Sequence, residues 1–360
     1  MKRRRFAVTW SMVIAVALWL SSPAAGKQAE VEQAEADLLQ RAAENIEKYR
    51  KGEAVIRFRT ESGAAVQGAQ VQVTQATHDF LFGSIIFDLV WGEEGAYRPE
   101  LFKRRFRELF NFAVFPFYWA DYERKQGMPG WEKMLPVIQW CQASGITTKG
   151  HPLVWTAPSG KPEWLSAYPP GTVEELLKAR VVNTVGGYQG LIDIWDVVNE
   201  PVNTRAWENT GAEPWMEEPL DKVAGLVEKS FKWAFSANPG AQLILNEFYT
   251  ITKEQTRERF VRLVEELQRR DTPISGLGIQ AHEPRSEWYP PERVWATFDR
   301  LAGLGYPLHI TEFMPQSSGK EITGGWREGA WTAEAQAEFA EQFYRLSVGH
   351  PAVVSVNWWG

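Results

Sequence analysis

The sequence predicts an α/β protein folded as a (β/α)8 TIM barrel, and three observations carry that prediction. From Phe80 onward, eight strand-like runs alternate with seven amphipathic helical runs, over the roughly 250 to 300 residues such a barrel needs. The strand runs are almost continuously apolar, as parallel strands covered on both faces must be. Two of them nevertheless finish on a carboxylate: Glu200 closes LIDIWDVVNE and Glu312 closes PLHITE. Barrel enzymes carry their reactive groups at that end of the strands.

The elements follow in order. Residues 1–26 read as a secretory signal peptide, with basic Lys2 to Arg5, apolar Phe6 to Leu20 and small residues Ser21 to Gly26. The apolar stretch is short for a membrane span, so the mature chain is expected to be secreted or periplasmic, with an uncleaved anchor as the alternative. Residues 27–79 form a small N-terminal appendage. A polar helical stretch, Gln28 to Lys51, precedes the alternating run Val55 to Gln75, which reads as strands joined by Gly turns and packed on the barrel. A sugar-binding module is the other reading, but the stretch has Phe58 and no Trp.

The barrel domain, residues 80–360, starts with FLFGSIIF and the helical PELFKRRFRELF. NFAVFPF and WEKMLPVIQWCQASG come next, then TTKGHPLVW and TVEELLKARVVNTV. LIDIWDVVNE precedes EEPLDKVAGLVEKSFKWAFS, and QLILNE precedes TKEQTRERFVRLVEELQRR. ISGLGIQAH with PPERVWATFDRLAGLG, PLHITE with AEAQAEFAEQFYRLS, and finally VVSVNWW complete the series. The helical runs space apolar residues by three and four, and Ser236 to Gly240 and Gly303 to Gly305 read as helix stops. No Gly-rich phosphate turn follows the first strand, which argues against a doubly wound nucleotide fold. No helical run follows VVSVNWW, so an eighth outer helix is expected to be absent, through truncation or an open groove beside that strand.

Composition excludes several classes. The formal charge of −6 becomes −10 once Lys2 to Arg5 are removed, which disfavours nucleic acid as a partner. A single cysteine, Cys141, cannot form an internal disulfide and sits in a helical pattern as a small core residue. Eighteen tryptophans supply flat apolar faces suited to sugar rings as well as to a core.

The chemistry gathers at the strand ends. Paired carboxylates suit glycosidic bond cleavage, one as acid and the other as nucleophile or base. Asn199 precedes Glu200, GHPLVW presents His151 and Trp155, GIQAH presents Gln280 and His282, and the last strand presents Trp358 and Trp359. Apolar walls with a few aimed polar groups describe a carbohydrate cleft, although either histidine also reads as an ordinary core residue. Glu247, closing LILNE, reads as a supporting carboxylate. Glu200, Glu247, Glu312, His151 and His282 lack a close-spaced ligand pair such as H-x-x-x-H, so no metal and no cofactor are expected.

GHPLVW, WDVVNEP, GIQAH and HITE, in that order along the chain, resemble glycoside hydrolase family 10, the retaining endo-β-1,4-xylanases of clan A. The resemblance implies Glu200 as acid/base and Glu312 as nucleophile, with His151, Trp155, Asn199, Gln280, His282 and Trp359 around the sugar and Trp358 as neighbour. Carboxylates about 5–5.5 Å apart give covalent double displacement. Three positions depart from the family. FPFYW stands for Glu-Asn-x-Met-Lys-Trp, so Tyr118 replaces a lysine beside Trp119, and an aromatic subsite replaces a cationic one. Met314 replaces the aspartate that orients the histidine on the nucleophile, leaving His282 to find another partner, Glu283 or Glu247, or without one to titrate lower. Thr156 replaces a histidine. The reading is a monomeric endo-glycosidase acting on xylan, a polysaccharide or oligosaccharide partner, with no membrane contact after signal removal. The alternatives are the same machinery on another β-glycan or substituted oligosaccharide, and a non-catalytic carbohydrate-binding protein.

Overall fold

A strand apolar on both faces is stable only inside a sheet covered on both sides, and the chain satisfies that by closing the sheet on itself. The computed structural model describes residues 23–92, 98–202 and 220–360. Most of the expected signal peptide lies outside those residues, as do the first three residues of the expected fourth outer helix. Helix α1 (Pro23–Tyr49) leads to β1 (Leu81–Ile85), α2 (Phe87–Trp91) and α3 (Pro99–Leu109). Next come β2 (Phe112–Pro116), α4 (Trp119–Tyr122), α5 (Trp131–Ala143), β3 (Thr147–His151), β4 (Val154–Trp155) and α6 (Pro170–Gly187). The remainder is β5 (Ile194–Asn199), α7 (Leu220–Ala237), β6 (Gln242–Glu247), α8 (Glu254–Arg269), β7 (Gly276–Ile279), α9 (Pro291–Ala302), β8 (Leu308–Phe313), α10 (Ala333–Gly349) and β9 (Val353–Trp358).

Among the described residues these strands pair in parallel, in the order β3-β2-β1-β9-β8-β7-β6-β5-β4, and a β3–β5 pairing closes the barrel. Strands β3 and β4 are two pieces of one barrel position, separated where Pro152 cannot donate to the ladder. Proline opens α3, α6 and α9, where its missing N–H costs nothing.

The outward strand faces and the helices share one large core that includes Phe115, Phe117, Trp195 and Phe313. Inside the barrel, Phe112, Ile194 and Ile244 plug the lower end against Leu81. Above this plug the interior is polar, holding Lys149, Asp196, Asn246, His309, Ser355 and Asn357, all buried. Glycine makes room for these groups: a Cβ at Gly278 would stand 2.2 Å from Asn246 Oδ1, and one at Gly83 would stand 2.0 Å from Asn357 Oδ1.

The appendage differs from the sequence reading. Helix α1 packs along α10 and α9, with Ala42 so close to Gly349 that a Cβ there would lie 2.6 Å from Ala42 Cα. Arg50 then donates to the carbonyls of Val348, His350 and Val353 at 2.9, 2.8 and 2.6 Å, satisfying the end of α10. Residues 52–78 form no strand. One antiparallel bridge, Arg59 to Ala65, closes a turn, and Val55 and Val73 are 79% and 76% exposed. A closed barrel has no edge on which an added strand can pair, so the alternating pattern has nothing to complete it. Among the described residues no helix follows β9, and a cavity of about 490 Å³ opens there beside Ser84, Phe102, Phe106 and Trp358.

Candidate active site

The interior polar layer rises to the C-terminal mouth, where Glu200 and Glu312 meet one hydrogen-bond network. Glu200 follows β5 in a left-handed conformation (φ 58°), rare for a residue with a side chain, and its N–H is held by Asn246 O at 2.8 Å. Its Oε2 accepts from Trp155 Nε1 at 2.8 Å. Its Oε1 accepts from Gln280 Nε2 at 2.9 Å and Asn199 Nδ2 at 3.2 Å.

Glu312, inside β8, is only 4% exposed. Asn246 Nδ2 donates to its Oε1 at 2.8 Å and also to Asn199 Oδ1 at 2.8 Å, while Thr311 Oγ1 donates to Asn246 Oδ1 at 2.7 Å. Asn246 therefore ties both carboxylates together, directly at Glu312 and through Asn199 at Glu200. Burial, and after it the charge of Glu200, pushes the Glu312 carboxyl well above the usual carboxylate range, while the Asn246 bond pulls it back.

Two histidines flank Glu312. His151 Nε2 lies 3.9 Å from Glu312 Oε1, and His151 Nδ1 meets Asp196 Oδ2 at 2.7 Å. Asp196 Oδ2 is also paired with Lys149 Nζ at 2.6 Å, completely buried. Burial pushes Asp196 up, but Lys149 and His151 outweigh it and leave it below its ordinary value. His151 is itself lowered, mainly by burial, so the neutral ring donates from Nδ1 and turns a lone pair on Nε2 toward the mouth.

His282 finds its partner in neither Glu283 nor Glu247. Its Nε2 donates to Gln280 Oε1 at 2.7 Å and lies 3.4 Å from Glu312 Oε2. This fixes the Gln280 amide, whose nitrogen must then face Glu200. The ring titrates lower, as expected with Met314 in place of a carboxylate: burial first, then Arg285 and His151, bring it to about 4. Glu247 is used elsewhere, accepting from the N–H groups of Val202 at 2.8 Å and Phe248 at 2.9 Å, and so pins the turns after β5 and β6.

Aromatic rings wall one side. Tyr118 packs on His151 and Trp155 at 5.5 and 5.6 Å between centroids, and Trp359 on His151 at 5.1 Å. Burial, with Glu312 and Glu200 behind it, raises the Tyr118 phenol well above its ordinary value, keeping it a neutral donor. Phe87 joins both Tyr118 and Trp359, at 5.9 and 5.4 Å.

Two expected site residues stand apart from this mouth. Trp119 is 2% exposed, donates to Glu123 at 2.8 Å and packs against Trp164 on the barrel flank. Trp358 faces outward onto Phe313 and the flank cavity, because strand alternation turns it opposite to the inward Asn357. Sequence reasoning passed over Asp196, Lys149 and Phe87. A charge at an inward position of an apolar strand was the available signal for the first two; Phe87 had none. Among the described residues no group of three His, Cys, Asp or Glu side chains is arranged to hold a metal ion.

The shared asparagine has a measurable consequence. Asn246→Ala removes a donor that favours ionised Glu312, so Glu312 takes its proton at higher pH. The acid limb of any carboxylate-dependent activity moves to higher pH. A pH–rate profile with an unmoved acid limb contradicts the assignment.

The model of the family described as "Glycosyl hydrolase family 10" matches residues 80–360. A beta-1,4-xylanase of Dictyoglomus thermophilum is 33% identical over 180 residues, 49% of this chain and 48% of that protein. Anti-sigma-I factor RsgI6 of Acetivibrio thermocellus is 24% identical over 327 residues, 89% of this chain and 38% of that protein. The chain thus spans about half, or less, of the length of these relatives. The crystal structure of xylanase 10B from Thermotoga petrophila RKU-1 in complex with xylobiose superposes with a TM-score of 0.64 at 20% identity, covering 78% of this chain and 82% of that one. At that identity the likeness speaks to the fold, which is the same barrel. The family match extends over the whole barrel and both carboxylate strands, and the chain belongs to glycosyl hydrolase family 10.

Proposed function

We propose that the chain hydrolyses internal β-1,4 bonds of xylan with retention of configuration, Glu312 acting as nucleophile and Glu200 as acid/base. The carrying observation is the shared network: Glu312 Oε1 and Glu200 Oε1 both belong to the hydrogen-bonded set Asn246, Asn199 and Gln280. Glu312 is the recessed carboxylate, held by Asn246 with the His282 ring beside it, as a group attacking the anomeric carbon from below must be. Glu200 sits after its strand and takes a hydrogen bond from Trp155, which suits a group that reaches the leaving oxygen.

The attack requires an ionised Glu312 and a proton on Glu200. Burial and the charge of Glu200 favour the proton on Glu312 before substrate binds, so the proton has to cross between the two on binding. Glu312 attacks, Glu200 protonates the departing oxygen, and the glycosyl ester discharges the Glu312 carboxylate. Glu200, now ionised, takes a proton from water, which opens the ester on the face the leaving group vacated. The xylanase relative and the xylobiose held by the structural neighbour support xylan as the substrate class. Tyr118 and Phe87, an uncharged wall, favour a neutral glycan.

Reducing-sugar release on xylan, β-glucan and mannan tests the substrate. Proton NMR of the first product tests the stereochemistry, the β-anomer appearing first under retention. Release on β-glucan or mannan alone transfers the machinery to another glycan, and an α-anomer appearing first overturns double displacement. The second reading is a sugar-binding role without turnover, prompted by a relative over 89% of the chain whose name, anti-sigma-I factor, is not that of an enzyme. Binding of xylohexaose with no product from any of the three polymers selects it.

The N-terminal segment 1–26 supports a further proposal, export across a membrane, which a comparison of secreted and cell-retained protein tests by N-terminal sequencing. The same preparation tests the proposed monomer by its sedimentation.

A further inference from the structure

We propose a second glycan-binding site on the barrel flank, in the cavity between α4, the turn leading into α5, and α6. It rests on the glycan reading above and takes a short segment of the same β-linked chain. The cavity measures about 530 Å³, within the range of sites that hold small ligands. Trp131 and Trp164, both partly exposed, wall it together with the buried Tyr188 ring, which packs on Trp131 at 4.2 Å between centroids. Gln126 and Asn183, both exposed, supply neutral donors and acceptors at its edge.

Its charges point to an uncharged, hydroxyl-rich occupant. Glu123 lines the cavity, but its carboxylate accepts from Trp119 Nε1 at 2.8 Å and Gly127 N at 2.6 Å, and the nearby Arg180 guanidinium offsets its charge. Arg180 lines it from the buried side, 5% exposed, with its guanidinium over the Trp119 and Tyr122 rings at 5.2 and 5.4 Å. Its Nε donates to Leu153 O at 3.2 Å and its Nη2 to Phe117 O. Its Nη1 is buried as well, so the guanidinium presents no fork to a carboxylate and serves as the floor of the cavity. Flat apolar faces beside neutral polar groups are what a pyranose ring presents and needs.

The position gives the site a use. Tyr118 belongs to the catalytic mouth and its neighbour Trp119 to this cavity, so one short segment of chain carries a wall of each. A polymer held on the flank keeps its continuation close to the mouth, at high effective concentration.

The test uses the full chain carrying Glu312→Gln, titrated with xylohexaose while the tryptophan indole N–H signals are followed by NMR. Signals of Trp155 and of Trp131 and Trp164 are expected to move with separate affinities. Trp131→Ala is expected to abolish the Trp164 response and weaken retention on insoluble xylan by roughly tenfold, as loss of one aromatic anchor does. Hydrolysis of a short aryl xylobioside by the otherwise wild-type chain is unchanged. Asn183→Ala, on the exposed face of α6, gives a smaller loss in the same direction without disturbing packing. Movement of Trp155 alone, or unchanged retention in both variants, overturns the second site and leaves the catalytic reading intact. If no indole moves, the glycan reading fails and the second site fails with it.

Discussion

Glu312→Gln is expected to abolish turnover and, at neutral pH, to make the protein more stable. Loss of a covalent nucleophile removes the two-step route altogether, a loss on the order of 10⁴-fold or more in kcat. The stability gain has a separate origin. Glu312 is buried, and burial followed by the charge of Glu200 holds its carboxyl well above the ordinary value of 4.5. The folded chain therefore binds that proton more tightly than the unfolded chain. Stability from the neutral group is fully present below about pH 4.5 and is lost as pH rises through the raised folded value. Glutamine keeps an oxygen for Asn246 and carries no charge at any pH. The variant should gain about 1–3 kcal/mol, the usual relief from removing an ill-compensated buried charge, or a few degrees in thermal midpoint.

Thermal midpoints of both proteins from pH 4 to 8 check this. The difference should be near zero at pH 4 and grow upward. His282, brought to about 4 mainly by burial, and His309, brought to about 3 likewise, have the opposite slope: both lose stability as pH falls from 6.5 toward those values. His309 contributes equally to both proteins and cancels. His282, 3.4 Å from Glu312, acts only toward the acid end of the range, so the difference above pH 6.5 reports Glu312. An inactive variant with no pH-dependent gain means the Glu312 charge is already well compensated in the fold. A variant that keeps its activity removes Glu312 from the mechanism.

Why the sequence led to Glu312 but not to all its neighbours is a matter of strand phase. The apolar runs were long enough to define each strand, and a carboxylate ending such a run had few places to go but the barrel mouth. Adjacent aromatics were harder. In VVSVNWW the polar Ser355 and Asn357 occupy the interior, His309 meeting Ser355 at 2.9 Å, and that phase already sends Trp358 outward. Applied to WDVVNE and TTKGH, the same rule marks Asp196 and Lys149 as interior charges that must pair. Trp119 lay beyond its strand, where alternation no longer applies and helix α4 decides the direction. The appended run Val55 to Gln75 misled for another reason. Its alternation is real, but a strand requires a neighbour, and pairing partners are a property of the whole fold.

Glu200→Gln is expected to divide substrates by their leaving groups. On xylan the departing sugar hydroxyl is a poor leaving group, so loss of the acid should lower kcat/KM by roughly 10²–10⁴-fold. An aryl xylobioside whose phenol ionises near neutral pH needs no proton, so its first step proceeds and the ester on Glu312 accumulates, because no base remains to activate water. Glutamine can hold the bonds from Gln280 and Asn199 through its oxygen, but its amide nitrogen then faces Trp155 Nε1, which also donates. That mismatch adds a small loss common to all substrates, and the ratio between substrates cancels it. The measurements are kcat/KM on both substrates and the effect of azide, an anionic nucleophile that needs no base. Azide should restore turnover on the aryl substrate and leave xylan hydrolysis low. Equal losses on the two substrates, with no azide effect, contradict an acid/base role and leave Glu200 as a residue that binds sugar and positions Gln280.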